Sequence, residues 1–383
     1  MTERVNPLIL KDIKQFGLRD WNACYHCGNC TASCPLTEQG FVFPRKEIRL
    51  MQMGLKNDLV QCIEPWLCYY CGDCTKTCPR DANPGEIMMS LRRYLTSKYD
   101  WTGLSRKFYT SKIWEIGFIS LIAAIVIILF AVFIPARNIN TTLTADGGVK
   151  VTQFAHFGHR TFNEIIELGD WTMAVIVAFL LISNIFNMYL KTVWSDKSVK
   201  FSFITYIKEF WELIFNFGTQ AKFSKCKDRY YWLSHWLLMS GYVIMFTLIV
   251  VFLKWFQTDQ ILPWWHPQRM LGYYATIGLI FGLLFASYGR LKKQDIKFKF
   301  SHASDWIFLI MLILTAITGI LIHIFRLNGM PYATYYLYVI HLAILVPMIM
   351  VEVPFSKWSH LAYRPFAIYF NKIKQASVNK AMV

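Results

Sequence analysis

The sequence lacks the motifs by which enzymes commonly hold nucleotides or activate a nucleophile. It has no G-x-G-x-x-G dinucleotide loop, no Walker motif and no Ser/His/Asp constellation that can be placed. These absences exclude a recognisable flavin or nicotinamide site and a self-sufficient hydrolytic centre. Any chemistry in the chain must come from other residues.

Charged residues are also scarce. They make up 17% of the 383 residues, whereas 55% are hydrophobic and 17% aromatic, and the mean hydropathy is +0.33. A chain this apolar is expected to lie in a membrane. Long apolar runs begin only at Ile113, while the preceding hundred residues are polar and rich in cysteine. The sequence therefore predicts two parts, a domain at 1–110 and a membrane domain at 111–383.

Eight of the ten cysteines form two copies of a C-x2-C-x2-C-x3-C-P run. Three thiolates of such a run bind one [4Fe-4S] cluster, and the fourth binds the other cluster. The runs therefore predict two clusters with crossed ligands. Cluster one takes Cys24, Cys27, Cys30 and Cys78; cluster two takes Cys68, Cys71, Cys74 and Cys34.

Two zinc sites are the alternative to the clusters, but zinc usually draws on C-x2-C pairs or Cys/His mixtures set well apart. Cys62 and Cys226 lie outside both runs and are interpreted as ordinary thiols.

Six apolar segments are long enough to cross a bilayer once each. They lie at about 113–134, 169–190, 230–253, 270–289, 305–325 and 334–353. Between the second and third, residues 201–217 interleave apolar and charged side chains, which predicts an interfacial amphipathic helix.

Residues 1–110 contain no export signal, and thiolates for cluster assembly belong in the cytosol. Placing this domain in the cytoplasm gives the inside loops and tail 18 Lys and Arg residues, against 6 in the outside loops. This bias is typical of a multi-pass protein of the inner (cytoplasmic) membrane with its N-terminus inside. It also explains most of the net charge of +16 without a nucleic acid.

Four histidines lie in or near the spans, where an ionisable side chain is costly. His235 and His360 share a depth near the cytoplasmic face, and His323 and His341 lie toward the outside. Two haems b need imidazole ligands at two different depths in the membrane, which is the arrangement of these four histidines. The 19 residues from His341 to His360 correspond to about 28 Å of helix but rotate the side chains apart by about 100°. A kink or helix end at Pro347 or Pro354 is expected to realign them.

Two sets of segments carry a family resemblance. CYHCGNCTASCP and LCYYCGDCTKTCP resemble the C subunit of heterodisulfide reductases. RYYWLSHW and HLAILVPMIMVEVPFSKWSH resemble the haem b membrane subunit of those enzymes and the gamma subunit of respiratory nitrate reductases. Their fusion resembles the membrane (C) subunits of quinone-interacting membrane-bound oxidoreductases (Qmo) of sulfur-metabolising bacteria.

The resemblance implies an all-α fold, with an N-terminal α-helical ferredoxin-like domain followed by a six-helix di-haem cytochrome b bundle. It implies menaquinone as substrate, two cytoplasmic flavin- and iron–sulfur-containing partner subunits, and electron exchange with adenylylsulfate reductase. The adjacent Cys-Cys pair of the disulfide-reducing subunit of heterodisulfide reductases is absent. The expected protein is an electron-transfer subunit of a quinone-dependent oxidoreductase rather than a self-sufficient enzyme.

One departure concerns the distal haem. The nitrate reductase gamma subunit has a second ligand histidine where this chain has Met245. His323 is the first candidate to pair with His341, followed by His156 and His159, with Met245 as the fourth. Candidates for the quinol site are His156, His159, His323 and Arg326.

The ligand set does not fix the direction of electron flow. A heterodisulfide-, sulfite- or nitrate-type complex is the alternative redox function. A zinc-stabilised membrane transporter or scaffold is the remote one, disfavoured because the chain lacks paired broken half-helices.

We predict that the purified protein contains close to eight iron atoms in clusters, because two cubanes use all eight cysteines of the runs. Cys34→Ser is expected to damage cluster two and Cys30→Ser cluster one, as measured by electron paramagnetic resonance. Loss of the same cluster signal in both variants would contradict the crossed ligands, and zinc in place of iron would contradict the clusters themselves.

Overall fold

A computed structural model describes residues 5–136, 139–143, 149–153, 162–197, 199, 203–225, 228–257 and 262–381. The described chain is helical, apart from one antiparallel hairpin of β1 (Ile139–Leu143) and β2 (Val149–Gln153). This hairpin follows the first spanning helix and was not expected from the sequence. The predicted all-α class is confirmed.

The first 110 residues form eight α-helices within the described part, most of them short. They are α1 (Ile9–Lys14), α2 (Asn29–Ala32), α3 (Arg45–Gln52), α4 (Lys56–Gln61), α5 (Glu64–Leu67), α6 (Asp73–Lys76), α7 (Pro84–Tyr99) and α8 (Leu104–Thr110). The long helix α7 is buried on most of its surface and forms the centre of this part. Its Arg93 donates to the Glu86 carboxylate at 3.0 Å and to the Phe16 carbonyl at 2.6 Å. This buried charge therefore has the partners that burial requires.

Among the residues that it describes, the structure confirms six helices long and apolar enough to span a membrane. They are α9 (Lys112–Phe133), α10 (Phe162–Tyr189, extended by a π-turn to Trp194), α12 (Arg229–Val250), α14 (Pro267–Lys292), α16 (Ala303–Leu327) and α17 (Pro331–Phe355). The second begins earlier than predicted because helical structure continues through polar residues before the apolar run. Short helices α13 (Leu253–Phe256) and α15 (Ile296–Lys299) lie in the connections.

Two further helices join the cysteine-rich part to the bundle. α11 (Phe203–Thr219) overlaps the predicted interfacial segment and exposes Phe203, Ile204 and Trp211. α18 (His360–Ala381) occupies the segment expected only as an inside tail. Its Tyr363 packs on Trp66, with ring centroids 4.9 Å apart, in a core shared by both parts of the chain.

The core of the cysteine-rich part contains one carboxyl group that lacks a hydrogen-bond partner among the described residues. Both carboxyl oxygens of Glu47 are buried and unpaired, beside Cys62 and Glu64. Burial, followed by the charge of Glu64, raises the pKa of Glu47 to about 8. Cys62 is also buried, with a pKa raised well above the usual range of a thiol, as expected of an inert cysteine.

Helices α12 and α14 approach closely at glycines, so we predict that Gly278→Leu destabilises the bundle. A Cβ at Gly278 would lie 2.8 Å from the Leu237 carbonyl oxygen, which is closer than van der Waals contact permits. Overpacking of this kind costs about 1–3 kcal/mol. Thermal unfolding in lipid nanodiscs should show a lower midpoint. Gly117→Leu on α9 is the control, because no described atom lies within 4 Å of its added Cβ. Equal midpoints in the two variants would refute the close packing.

For Glu47, we predict that Glu47→Gln stabilises the cysteine-rich part, increasingly as pH rises. The folded pKa of about 8 lies above the ordinary value of 4.5, so the folded state must retain a proton that the unfolded chain loses between these values. The gain should be small near pH 4.5 and on the order of 4 kcal/mol by pH 8. Thermal loss of cluster absorbance at several pH values measures it, with exposed Glu38→Gln as control. A gain independent of pH would contradict this account.

Candidate metal centres

The two cysteine runs adopt the same backbone conformation. In each, the residue before the second cysteine has a positive φ, 64° at His26 and 55° at Tyr70. The glycine after that cysteine is also left-handed, and a short helix begins at the next residue. These turns let three successive cysteines curl around one centre. Backbone amides also face sulfur, as in the 3.3 Å contact from Tyr70 N to Cys68 Sγ.

The fourth cysteines lie where the two runs meet. Ser33 and Thr77, which immediately precede Cys34 and Cys78, are 3.0 Å apart at their hydroxyl oxygens. Burial raises the pKa of the Cys34 thiol to about 12, and the neighbouring thiolates that raise it further are, in order, Cys68, Cys71 and Cys30. Cys34 therefore interacts more strongly with the second run than with its own. This is the neighbourhood that crossed ligation requires.

The two predicted cluster sites differ in exposure. Each run has one buried cysteine, Cys30 in the first and Cys68 in the second, but only the first run has an exposed one, Cys27. The second run lies against α18 and the bundle, since the guanidinium of Arg364 covers the Tyr69 ring at 4.1 Å. Arg92 donates to the carbonyls of Pro65, at 2.6 Å, and Cys68. Two arginines thus place positive charge beside the second site, which favours the more negative, reduced state of a cluster.

A chain of aromatic rings links the second run to the bundle histidines. Tyr69, adjacent to Cys68, stacks on Phe223 with centroids 5.0 Å apart and planes at 11°. Phe223 meets the His235 ring edge-on at 5.6 Å. The rings of His235 and His360 are 6.2 Å apart. The predicted cluster and haem positions are therefore connected by successive ring contacts.

The rings of His235 and His360 lie close enough together that both could hold one metal. Nδ1 of His360 donates to the Lys357 carbonyl at 2.7 Å, and Nδ1 of His235 is 2.9 Å from the Gln220 side-chain oxygen. Because carbonyl oxygens only accept, both Nε2 atoms carry the lone pair that binds a metal. A metal about 2 Å from each nitrogen would separate the ring centres by roughly 6 Å. Burial, and then His235, lower the pKa of His360, which favours the neutral ligand form. These residues fit a haem iron.

The two histidines of the C-terminal region lie on different helices. α17 carries His341, continues through Pro347 and ends at Phe355, one residue after Pro354. The chain then turns through Lys357–Ser359 and His360 begins α18. The 100° rotation expected along one straight helix therefore does not apply, because the chain changes direction between the histidines.

A cavity of about 770 Å³, here called the distal cavity, lies between α10, α12, α14, α16 and α17. His341 and His323 both face it, with Met245 and Arg326. His341 Nδ1 contacts the Thr318 hydroxyl at 2.8 Å, which leaves Nε2 as the nitrogen for a metal. His156 and His159 lie outside the described residues, as does Cys226.

His323 has both ring nitrogens engaged. Arg269 lies 3.1 Å from Nδ1 and the Tyr273 hydroxyl 3.2 Å from Nε2. Arginine only donates, so Nδ1 accepts and Nε2 carries the proton of the neutral ring. Ligation through Nε2 would therefore require a tautomer change and loss of the Arg269 hydrogen bond.

Sequence reasoning missed several residues around these sites. Tertiary packing alone brings Gln220 and Phe223 to His235 and Arg364 to Tyr69, and none of the three carries a sequence signal. Asp170 also lines the distal cavity, and it did carry a sequence signal. It is a carboxylate inside an apolar segment, where an ionisable residue is costly and therefore a candidate functional residue.

Comparison with known proteins bears on the cysteine-rich part. Residues 20–82 match the family model of a 4Fe-4S dicluster domain. Over 88 residues, 23% of the chain, it is 36% identical to a protein of Archaeoglobus profundus described as like the C subunit of heterodisulfide reductase, covering 47% of that protein. Over 85 residues, 22% of the chain, it is 31% identical to the C 2 iron–sulfur subunit of the CoB–CoM heterodisulfide reductase of Methanocaldococcus jannaschii, covering 45%.

The chain thus spans just under half the length of these curated relatives. No solved structure matches it. The predicted N-terminal iron–sulfur domain is confirmed: the chain joins a 4Fe-4S dicluster domain, similar to iron–sulfur subunits of heterodisulfide reductases, to six helices able to span a membrane.

Proposed function

We propose that this chain carries electrons between a membrane quinone and cytoplasmic redox partners through two haems b and two [4Fe-4S] clusters. The observation that carries the proposal is the series of ring contacts from Tyr69, next to Cys68, through Phe223 to the facing His235 and His360 rings. It joins an iron–sulfur domain to a histidine pair at the near end of the membrane bundle. Ring contacts between a cluster site and a histidine pair provide a path for electron transfer, which a zinc-stabilised scaffold does not need.

The proximal haem is assigned to His235 and His360, and the distal haem to His341. When bound, the haems supply one-electron redox centres between the quinone cavity and the clusters. The protein holds the imidazoles neutral and oriented, through Gln220, Lys357 and Thr318.

For the partner of His341, we rank Met245 ahead of His323. Both line the same cavity, but His323 must give up its Arg269 hydrogen bond to ligate iron. A thioether needs no such change and is an established haem ligand. His323 and Arg326 then serve the quinol site.

The orientation of the domains follows from the charge bias. With the iron–sulfur domain in the cytoplasm, the distal cavity faces the outer leaflet, and menaquinone enters it from the lipid. The exposed side of the first cysteine run, at Cys27, then meets two flavin-containing partner subunits that exchange electrons with adenylylsulfate reductase. The relatives support the existence of partner subunits, since they are themselves described by the names of subunits.

A heterodisulfide-type complex is the second candidate, favoured by the 36% identity to the heterodisulfide reductase-like protein of Archaeoglobus profundus. The two candidates share every site in this chain and differ only in the soluble partner. Identification of the proteins that copurify with the tagged chain separates them.

We predict that His360→Ala and His235→Ala each remove the same haem, because both rings face one iron position. His341→Ala should remove the other haem and leave that one. Reduced-minus-oxidised spectra and haem extraction measure the two contents. His302→Ala is a control, since His302 contacts Ser304 outside both sites. Loss of the same haem in the His341 and His360 variants would contradict the assignment of these histidines to two separate haems.

A further inference from the structure

Asp170 lies in the membrane bundle, far from the iron–sulfur domain. It belongs to α10, whose continuation carries Lys191, and Lys191 donates to the Lys98 carbonyl of the iron–sulfur domain. The 21 residues from Asp170 to Lys191 correspond to about 31 Å of helix. Asp170 is therefore near the opposite end of the bundle, at the depth of the distal cavity.

The side chain of Asp170 is 7% exposed and lines that cavity. Its Oδ2 has no hydrogen-bond partner among the described residues. A carboxyl group in this position is expensive, both because it is ionisable at membrane depth and because a buried polar atom is unpaired. A ligand that hydrogen-bonds to Oδ2 would offset this cost.

Other walls of the same cavity carry groups of opposite character. Arg269, His323 and Tyr273 form a hydrogen-bonded cluster on α14 and α16, and Arg326 lies in the same lining. Apolar side chains such as Phe246 make up much of the remaining lining. A cavity with a carboxyl group, a cationic cluster and an apolar body fits a flat aromatic ring that bears two oxygens.

We infer that Asp170 is the proton acceptor of a quinol site in this cavity, with the Arg269–His323–Tyr273 cluster binding the second quinol oxygen. The inference rests on the proposed function, because the electrons need the haems as one-electron acceptors. One quinol O–H bond breaks and its proton passes to Oδ2 of Asp170. The second proton passes to water beside Met330, which lines the cavity and is exposed in the connection between α16 and α17. The two electrons would leave one at a time to the one-electron acceptors that the proposed haems would supply, and the quinone then departs.

A route for the accepted proton begins next to Asp170. Tyr338 lies close enough to interact electrostatically with Asp170, and its hydroxyl donates to the Gln257 side-chain oxygen at 3.4 Å. Gln257 ends α13 on the side away from the iron–sulfur domain. Asp170 thus lies on the side of the bundle where an accepted proton would leave without crossing it.

Asp170→Asn tests the assignment, because it keeps the shape of the side chain and removes the base. The matched control is Glu167→Gln, one turn earlier on α10, whose carboxylate pairs with exposed Lys254. The first readout is binding of a hydroxyquinoline N-oxide, a quinol analogue, by fluorescence quenching. The second is the carboxyl C=O band in redox-difference infrared spectra, and the third is the rate of haem reduction by a short-chain naphthoquinol.

In the native protein we expect analogue binding, a carboxyl band and fast haem reduction. Asp170→Asn should bind the analogue and keep both haems, lose the band and reduce haem about a hundredfold more slowly. Asp170→Glu should restore a carboxyl band at a shifted frequency and part of the rate of haem reduction. This variant also serves as the test if Asp170→Asn does not fold. Glu167→Gln should match the native protein.

Two outcomes overturn the assignment, and they are distinguishable. The first outcome is that Asp170→Asn keeps the carboxyl band and the rate of haem reduction, while the native protein is reduced by the quinol. Asp170 then takes no part in the reaction, but the proposed function is not contradicted. Native protein that neither binds the analogue nor accepts electrons from the quinol would overturn both the site and the proposed function.

Discussion

Helix α18 must pack against the iron–sulfur domain and the membrane bundle at the same time, and the path between metal sites depends on this double contact. Its first turns carry His360, Tyr363 and Arg364. His360 faces His235, Tyr363 packs on Trp66, and Arg364 covers Tyr69. A shift of α18 would therefore move a proposed haem ligand and a neighbour of cluster two together. The shared hydrophobic core around Tyr363 holds the helix in place.

The polar groups of the spanning helices show a contrast between the two ends of the bundle. Near the iron–sulfur domain, Glu115 accepts from the Ser356 hydroxyl at 2.7 Å, and Glu352 accepts from the Lys357 amide at 3.1 Å. Asp305 is paired with Lys357. Each of these carboxyl groups has at least one partner within the fold, although Glu115 and Glu352 each keep one oxygen without a hydrogen bond among the described residues. Asp170 at the other end differs because the described residues give its carboxyl group no hydrogen bond or ion pair, and it faces a cavity.

Features set by local sequence could be predicted. Cysteine spacing fixes the loop conformation that wraps a metal centre, and hydrophobic length fixes the existence of the six spans. The proximity of the His235 and His360 rings could also be predicted, because both residues lie at one depth. The residues that orient this pair, Gln220 and Phe223, could not be predicted. They reach the histidines through tertiary packing, which neither spacing nor hydropathy encodes.

The C-terminal helix and the role of His323 depend on tertiary contacts in the same way. Hydropathy predicts only a tail for the C-terminal segment, which is not apolar enough to span a membrane, yet α18 is stabilised by packing on one face. Depth alone makes the outer histidines candidate ligands, whereas the hydrogen bonds of His323 to Arg269 and Tyr273 favour another role. The membrane depth of a histidine can be inferred from the sequence. Whether each of its ring nitrogens is already hydrogen-bonded depends on neighbours distant in the chain.

The central claim is that electrons from the distal cavity reach the clusters only through the site of His235 and His360. Its most direct test mixes His235→Ala protein with a short-chain naphthoquinol and follows haem absorbance together with freeze-quenched cluster signals. The account predicts reduction of the remaining haem at the native rate, with clusters that stay oxidised until dithionite is added. Reduction of the clusters by quinol at the native rate in this variant would contradict it.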